Sequence, residues 1–202
     1  MIMSAFAIAT MLYAFTMSIT PGPTNILMMT TGVNHGFKST VAFATGAAFG
    51  FSAMVISVAL GFGVMLTENI MVMRIFGYVG AALIAYMGLK IALSRADLHG
   101  EKKEKPGFIF GAVLQWLNPK SWIACLAGVS AFNLAVGGSR LALYMSVYTV
   151  VGYLCVLSWG LAGAKISHFL RVQRNLRIFN YVMGGSLIIV ALYLAVMDKS
   201  SI

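Results

Sequence analysis

The sequence predicts an all-α, polytopic membrane protein in which six transmembrane helices form an inverted repeat of three plus three. The first observation is composition: 60% of the 202 residues are hydrophobic and only 9% are charged. Soluble domains average about 45–50% apolar and about 25% charged residues, so these charges are too few to coat a soluble fold. The second is a net charge of +9, which in an apolar chain indicates contact with anionic lipid and no nucleic-acid partner. The third is proline inside two of the apolar stretches.

Six stretches are apolar enough to cross the bilayer, which takes about 20 residues for about 30 Å of hydrocarbon. The third stretch is shorter, but the long basic side chains at its two ends can reach the interface. The opening segment lacks a basic start and a small-residue cleavage site, so it is expected to stay as a span. The predicted spans are Ser4–Thr31, Ser39–Leu66, Ile70–Leu93, Gly107–Phe132, Arg140–Ala164 and Leu176–Met197.

Basic residues in the loops predict the orientation. Ten Lys and Arg residues fall in loops one, three and five, whereas three fall on the opposite side. Basic loops remain in the cytoplasm, so both termini are expected outside. The ten residues are Lys38, Lys90, Arg95, Lys102, Lys103, Lys105, Lys165, Arg171, Arg174 and Arg177.

The longest polar stretch divides one membrane domain, residues 1–202, into two halves. Residues 94–107 are predicted to form a cytoplasmic linker between a first three-helix half, 1–93, and a second, 108–202. Because each half has an odd number of spans, any repeat between them must be inverted across the membrane. Sequence similarity between the halves is faint, so the prediction rests on interruptions at matching places.

Prolines interrupt the first span of each half. Pro21, Gly22 and Pro23 lie near the middle of span one, and Pro119 lies near the middle of span four. Proline removes a backbone donor, and a glycine between two prolines allows an unwound turn. Irregular backbone at this depth is tolerated only where it is buried in protein or lines a cavity. Matched interruptions therefore predict the substrate site of an inverted-repeat transporter, whereas the plainer alternative is a pair of kinks that only shape packing.

The residues after each break predict new helix N-termini. Asn118 is a good N-cap with Pro119 at the first helical position, and Thr20 or Gly22 is expected to cap the second half of span one. Each N-terminus carries about half a positive charge, and Lys120 adds a full one at the same level. All five acidic residues lie outside the predicted spans. The centre is therefore expected to attract a carboxylate or another small anion.

The candidate substrate-binding set comes from the two breaks. Amide side chains and unwound carbonyls are expected to hold a substrate ammonium, and Lys120 is expected to release a proton during transport. A structural alternative for Lys120 is that it binds the carbonyl ends of the broken helices. No catalytic, metal-binding or cofactor-binding residues are predicted. The set is Thr20, Pro21, Gly22, Pro23, Thr24, Asn25, Gln115, Asn118, Pro119 and Lys120.

Four runs in the first half form a recognisable signature: Thr20-Pro-Gly-Pro-Thr-Asn-Ile, Gly32, His35-Gly-Phe-Lys and Gly46-Ala-Ala-Phe-Gly50. This signature resembles that of the LysE/RhtB family of amino-acid exporters. The run Asn118-Pro119-Lys120 resembles the family's break in the fourth helix. The resemblance implies a multi-pass carrier of the bacterial inner membrane, so the outer side on which the charge distribution places both termini is the periplasm.

One departure from the family pattern bears on the substrate. Many members have an acidic residue just after the second glycine of helix two, where this chain has Phe51. In this respect the chain looks closest to the cysteine and O-acetylserine exporter branch. The resemblance implies export of small neutral amino acids or derivatives, such as cysteine, O-acetylserine or homoserine- and threonine-like compounds. It implies proton antiport with alternating access, and the partners are then the amino acid, protons and membrane lipid.

Two other functions remain open on the sequence. A passive channel for small solutes or anions is the main alternative. A membrane thiol-disulfide carrier is a weaker one, because Cys125 and Cys155 are the only cysteines and form no C-x-x-C motif. Ala42, Gly46 and Gly50 form a row of small residues, which predicts close helix packing within one chain or, less favoured, the seam of a homodimer.

Overall fold

The computed structural model describes residues 2–61, 70–93, 105–134 and 138–197, and every regular element in these ranges is a helix. A short 3₁₀ turn, Phe169–Arg171, joins the last two helices. The predicted linker is described only from Lys105 onward, and the end of the second predicted span lies outside the described residues. The helices are α1 Ile2–Ile19, α2 Pro23–His35, α3 Lys38–Ala59, α4 Ile70–Ala92, α5 Phe108–Leu117, α6 Pro119–Ala131, α7 Gly138–Ile166 and α8 Gln173–Met197.

Three of the described helices are long and apolar enough to cross a membrane: α3, α7 and the Gln173–Tyr193 part of α8. The bent pair formed by α1 and α2 makes a fourth if it is counted as one span. Tyr78–Ala92 of α4 and Phe108–Leu117 of α5 are shorter apolar helices. Many large apolar side chains point away from the bundle, as expected where lipid surrounds it. The chain is a multi-pass membrane protein.

Glycines set the distances between the main helix pairs. A Cβ added to Gly32 of α2 would lie 2.1 Å from the Gly160 carbonyl oxygen of α7. On α3, a Cβ added to Gly46 or Gly50 would lie 1.9 or 2.3 Å from a backbone oxygen of α5. The small-residue row therefore packs within the chain, and its first member, Ala42, is exposed. Backbones this close leave no room for a methyl group, so these positions require glycine.

Two apolar clusters divide the interior. The first, the tyrosine cluster, lies between α1, the end of α3, α6 and α7, and its buried members are Ala14, Met54, Val55, Val58, Ala59, Trp122, Cys125, Leu134, Tyr144 and Tyr148. The second cluster is built around Phe43, Leu114 and Leu187, from α3, α5 and α8. Both cysteines are buried and free. The two broken helix pairs meet between these clusters.

Candidate functional site

The first break lies between α1 and α2, which meet at a bend of 63°. The side-chain amide of Asn25 reaches back across it and donates to the Ser18 and Thr20 carbonyl oxygens, at 2.8 Å in each case. The Trp159 indole of α7 donates to the Ile19 carbonyl at 3.2 Å. The last carbonyls of a helix lack intrahelical partners, so these contacts satisfy the end of α1 inside the protein.

Gly22 is the N-cap of α2, with Pro23 at the first helical position. This settles the open choice between Thr20 and Gly22. Its φ of −169° and ψ of 179° are extended angles that any residue adopts, so the conformational freedom expected of Gly22 is not used. What the position needs is space, because a Cβ there would lie 2.8 Å from Cδ and 3.3 Å from Nζ of Lys120.

The second break lies between α5 and α6. The Asn118 side-chain oxygen accepts a hydrogen bond from the Lys120 backbone N–H at 3.1 Å, and Pro119 takes the first helical position. This confirms the predicted N-cap. The Trp122 indole donates to the Trp116 carbonyl at 2.7 Å, so a side chain of the new helix also satisfies the end of the old one.

Side chains from the two breaks bind each other. The Thr24 hydroxyl accepts hydrogen bonds from the amides of Gln115 and Asn118, at 3.2 Å in both cases. The Ser121 hydroxyl donates to the Gln115 side-chain oxygen at 2.7 Å. The start of α2 is thereby fixed to the α5–α6 break. The amides that were expected to hold a ligand each have a partner within the protein.

Lys120 also links the two breaks. Its ammonium donates to the Thr20 carbonyl oxygen and lies 3.5 Å from that of Pro21. These oxygens belong to the unwound segment between α1 and α2, so the contact corresponds to the structural alternative for Lys120. The side chain is partly buried. It brings a positive charge to the point where the two breaks meet.

A cavity of about 80 Å³ opens beside these contacts, which is room for several water molecules. Six of the ten predicted site residues line it, whereas Thr20, Pro21, Pro23 and Pro119 do not. The six are Gly22, Thr24, Asn25, Gln115, Asn118 and Lys120. Lys120 is the only Lys, Arg, Asp or Glu residue in the described lining. The cavity is thus positive at one wall, with no fixed negative charge among these residues.

Comparison with known proteins identifies the family. The family model described as LysE type translocator matches residues 15–198. The chain belongs to this family. As a LysE-type translocator it is a transporter and not an enzyme. No solved structure matches the chain.

Curated relatives cover nearly the whole chain. A cysteine/O-acetylserine efflux protein of Klebsiella pneumoniae is 28% identical over 191 residues, which is 91% of this chain and 94% of the relative. A homoserine/homoserine lactone efflux protein of Salmonella typhimurium is 26% identical over 187 residues, or 89% and 90% of the two chains. This LysE-family chain is therefore similar to efflux proteins that are named for two different substrates.

The prediction missed the far wall of the cavity in this translocator. On that wall the hydroxyls of Ser52 and Thr149 lie 3.1 Å apart, and the rings of Phe51 and Tyr148 stack with centroids 4.7 Å apart. Uncharged residues inside apolar spans give no local signal like the prolines. The available signal was a face of small and hydroxyl residues on α3. Its members in the lining are Ala44, Ala47, Ala48 and Ser52.

Proposed function

We propose that this protein exports small neutral amino acids or their derivatives, and that the cavity between the two breaks is the substrate site. The observation that carries this proposal is that Lys120, the one Lys, Arg, Asp or Glu residue in the described part of the lining, lies beside two helix N-termini. Relatives named as cysteine/O-acetylserine and homoserine efflux proteins support an amino-acid substrate. The names of the relatives thus support an amino acid as the transported compound. The charge of the cavity lining supports a compound that carries a carboxylate.

The chemistry of the lining favours a zwitterion with an uncharged side chain. The starts of α2 and α6 each carry about half a positive charge and suit a carboxylate. Ser52 and Thr149 offer hydroxyl partners on the opposite wall, where a small polar side chain would lie. The alanines and Gly152 of the lining are uncharged, and the cavity volume of about 80 Å³ favours small compounds. An amino acid with a second positive charge would lack a fixed counter-charge there.

We propose further that the chain is an inverted repeat of six spans, with halves 1–93 and 108–202. Exchanging α1 with α5, α2 with α6, α3 with α7 and α4 with α8 relates most of the main helix contacts. The α3–α5 contact corresponds to α7–α1, α2–α7 corresponds to α6–α3, and α4–α8 and α3–α7 each correspond to themselves. The α2–α3 contact departs from this exchange, and so do the smaller α4–α5, α2–α8 and α2–α5 contacts. The agreement supports alternating access, in which matching elements open the cavity on opposite sides.

The proposed energy source is proton entry, and the proposed location is the bacterial inner membrane with both termini in the periplasm. The ten-to-three distribution of basic residues supports this orientation. Proton antiport rests on Lys120, because it is the only Lys, Arg, Asp or Glu residue in the described lining. Surrounding lipid is the remaining partner, and a homodimer finds no support in the packed Gly46 and Gly50.

The test is efflux from bacterial cells that overproduce the protein, measured against a panel of amino acids. The panel contains cysteine, O-acetylserine, homoserine, threonine, lysine and glutamate. The proposal predicts raised tolerance and faster efflux for one or more of the first four, and none for lysine or glutamate. Preferential efflux of lysine or glutamate would contradict it. Replacement of Lys120 by Met should reduce energised efflux to the vector control.

A further inference from the structure

Two backbone carbonyl oxygens in the unwound segment between α1 and α2 contact the flexible side chain of Lys120. Rigid groups hold the neighbouring oxygens: the Asn25 amide binds that of Ser18 and the Trp159 indole binds that of Ile19. The Thr20 oxygen accepts from the Asn25 amide and also from the ammonium of Lys120, whose nitrogen lies 3.5 Å from the Pro21 oxygen and whose four-carbon stem comes from the other break. A primary ammonium is thus present where the backbone is irregular and beside the cavity.

We propose that the Thr20 and Pro21 carbonyls form the subsite for the substrate ammonium, and that Lys120 occupies this subsite in the empty carrier. Both ligands are primary ammonium groups, so the same oxygens suit either one. They cannot hold both at once, because the second cation would be repelled at contact distance. The inference rests on the proposed export function and names the group of the substrate that is recognised.

Mutual exclusion supplies the coupling that an antiporter requires. Once displaced, Lys120 lies near a substrate ammonium and the positive starts of α2 and α6. The N–H bond of the lysine ammonium then breaks, the proton passes to cavity water, and a neutral amine remains. On the opposite side of the membrane the substrate leaves, and Lys120 takes a proton from water and returns to the carbonyls. Each cycle moves one amino acid outward and one proton inward.

The surroundings of Lys120 contain few other groups that could take this role. The other titratable residues in the described lining are Tyr148 and Tyr153, both from α7. The lining residues of α3 include none, and those of α1, α2 and α5 include none. Gly22 contributes by leaving space for the stem, since a Cβ there would meet Lys120 Cδ at 2.8 Å. The subsite and its occupant are therefore accessible to separate mutations.

The experiment measures the half-saturating concentration of L-homoserine in counterflow, with purified protein in proteoliposomes at equal pH on both sides. Between about pH 6 and pH 8 the charges of free homoserine stay constant, so any dependence on pH belongs to the protein. In the wild type, protonated Lys120 competes with the substrate for the Thr20 and Pro21 carbonyls. The half-saturating concentration should therefore fall with rising pH, by up to about tenfold per pH unit.

Two variants alter the competitor in different ways. Lys120→Met removes it, so the half-saturating concentration should become independent of pH while counterflow continues and accumulation driven by a pH gradient is lost. Gly22→Ala crowds the Lys120 stem and keeps extended backbone angles, so the half-saturating concentration at about pH 6 should fall below that of the wild type. Lys165→Met, at the exposed end of α7, is the matched control and should keep the wild-type dependence.

The outcomes separate the inference from the proposed function. A pH dependence in Lys120→Met as steep as in the wild type would overturn the inference while leaving export intact. If Lys120→Met fails to fold, Gly22→Ala decides, and an unchanged half-saturating concentration at low pH overturns it. Inhibition by 4-hydroxybutyrate, which lacks the amino group, as strong as by homoserine would also overturn the ammonium subsite. A wild type that exchanges no amino acid overturns both proposals.

Discussion

Asn118 makes two different contacts, one through its side-chain oxygen and one through its side-chain nitrogen. Its oxygen caps α6 through the Lys120 backbone N–H, and its amide nitrogen binds Thr24 of α2. The first contact starts a helix, and the second joins the two breaks. A single side chain therefore links local helix formation to the tertiary arrangement of the site.

Asn118→Ala should lower the free energy of unfolding by about 0.5–2 kcal/mol for the lost cap, with a further loss for the missing hydrogen bond to Thr24. Asn118→Ser is the matched control, because serine also caps helices but cannot donate to Thr24 at the same reach. Thermal unfolding of the purified protein in detergent is the measurement. The expected order of midpoints is wild type, then Ser, then Ala, and an Ala variant as stable as wild type would contradict the cap.

Gly22 is needed for the space that it leaves beside Lys120, and its backbone freedom is not used. Gly22→Val should therefore keep wild-type abundance and midpoint while transport falls to background, because valine tolerates extended angles but fills the cavity beside Lys120. Gly36→Val is the control, and it should lower stability while transport is kept. Gly36 has a φ of +76° and no neighbour within 4 Å of an added Cβ, so valine there costs about 1 kcal/mol or more in stability without touching the cavity. Normal transport by Gly22→Val would contradict this assignment.

At the scale of elements, close approach of small residues decides which helices pair. Gly184 of α8 meets α4 so tightly that an added Cβ would lie 2.4 Å from the Gly88 carbonyl oxygen. The next residue, Gly185, has nothing within 4 Å of an added Cβ. Of these two adjacent glycines, only Gly184 is needed for the close packing of α8 against α4.

Gly184→Ala should destabilise the protein by about 1–3 kcal/mol, because the methyl group forces α4 and α8 apart. Gly185→Ala should leave stability unchanged or raise it by up to about 1 kcal/mol through helix propensity. Thermal unfolding midpoints of the two variants, measured side by side, test the contrast. Equal midpoints would mean that the α4–α8 contact does not depend on this close approach.

Some of these features could be predicted from the sequence and others could not, for physical reasons. Both breaks were predictable, because proline and an N-cap asparagine act on the backbone within one turn. The partner of Lys120 was foreseen only as a structural alternative, since its carbonyls lie about one hundred residues away in the chain. Ser52 and Thr149 were not predicted, because an uncharged hydroxyl in an apolar span has no local pattern. Gly46 and Gly50 predicted close packing but not its partner, α5.

For the whole molecule, the orientation in the membrane is the least local prediction. In a background with Cys125 and Cys155 replaced by alanine, cysteines at Asn69 and Gly138 should react with a membrane-impermeant reagent from the periplasm. A cysteine at Gly100 should react only after the membrane is opened. Asn69 and Gly100 lie outside the described residues, so the expectation rests on the charge distribution. Periplasmic labelling at Gly100 would overturn the orientation, and labelling of all three sites from the same side would overturn the inverted repeat.

Counterflow shows whether the protein is a carrier and whether the cavity is its substrate site. Proteoliposomes loaded with unlabelled L-homoserine should take up labelled L-homoserine faster than empty ones. Ala48→Phe, which fills the cavity wall, should abolish this acceleration, whereas Ala42→Phe on the exposed face of α3 should preserve it. Uptake that is independent of internal substrate would indicate a channel, and undiminished acceleration in Ala48→Phe would place the substrate outside this cavity.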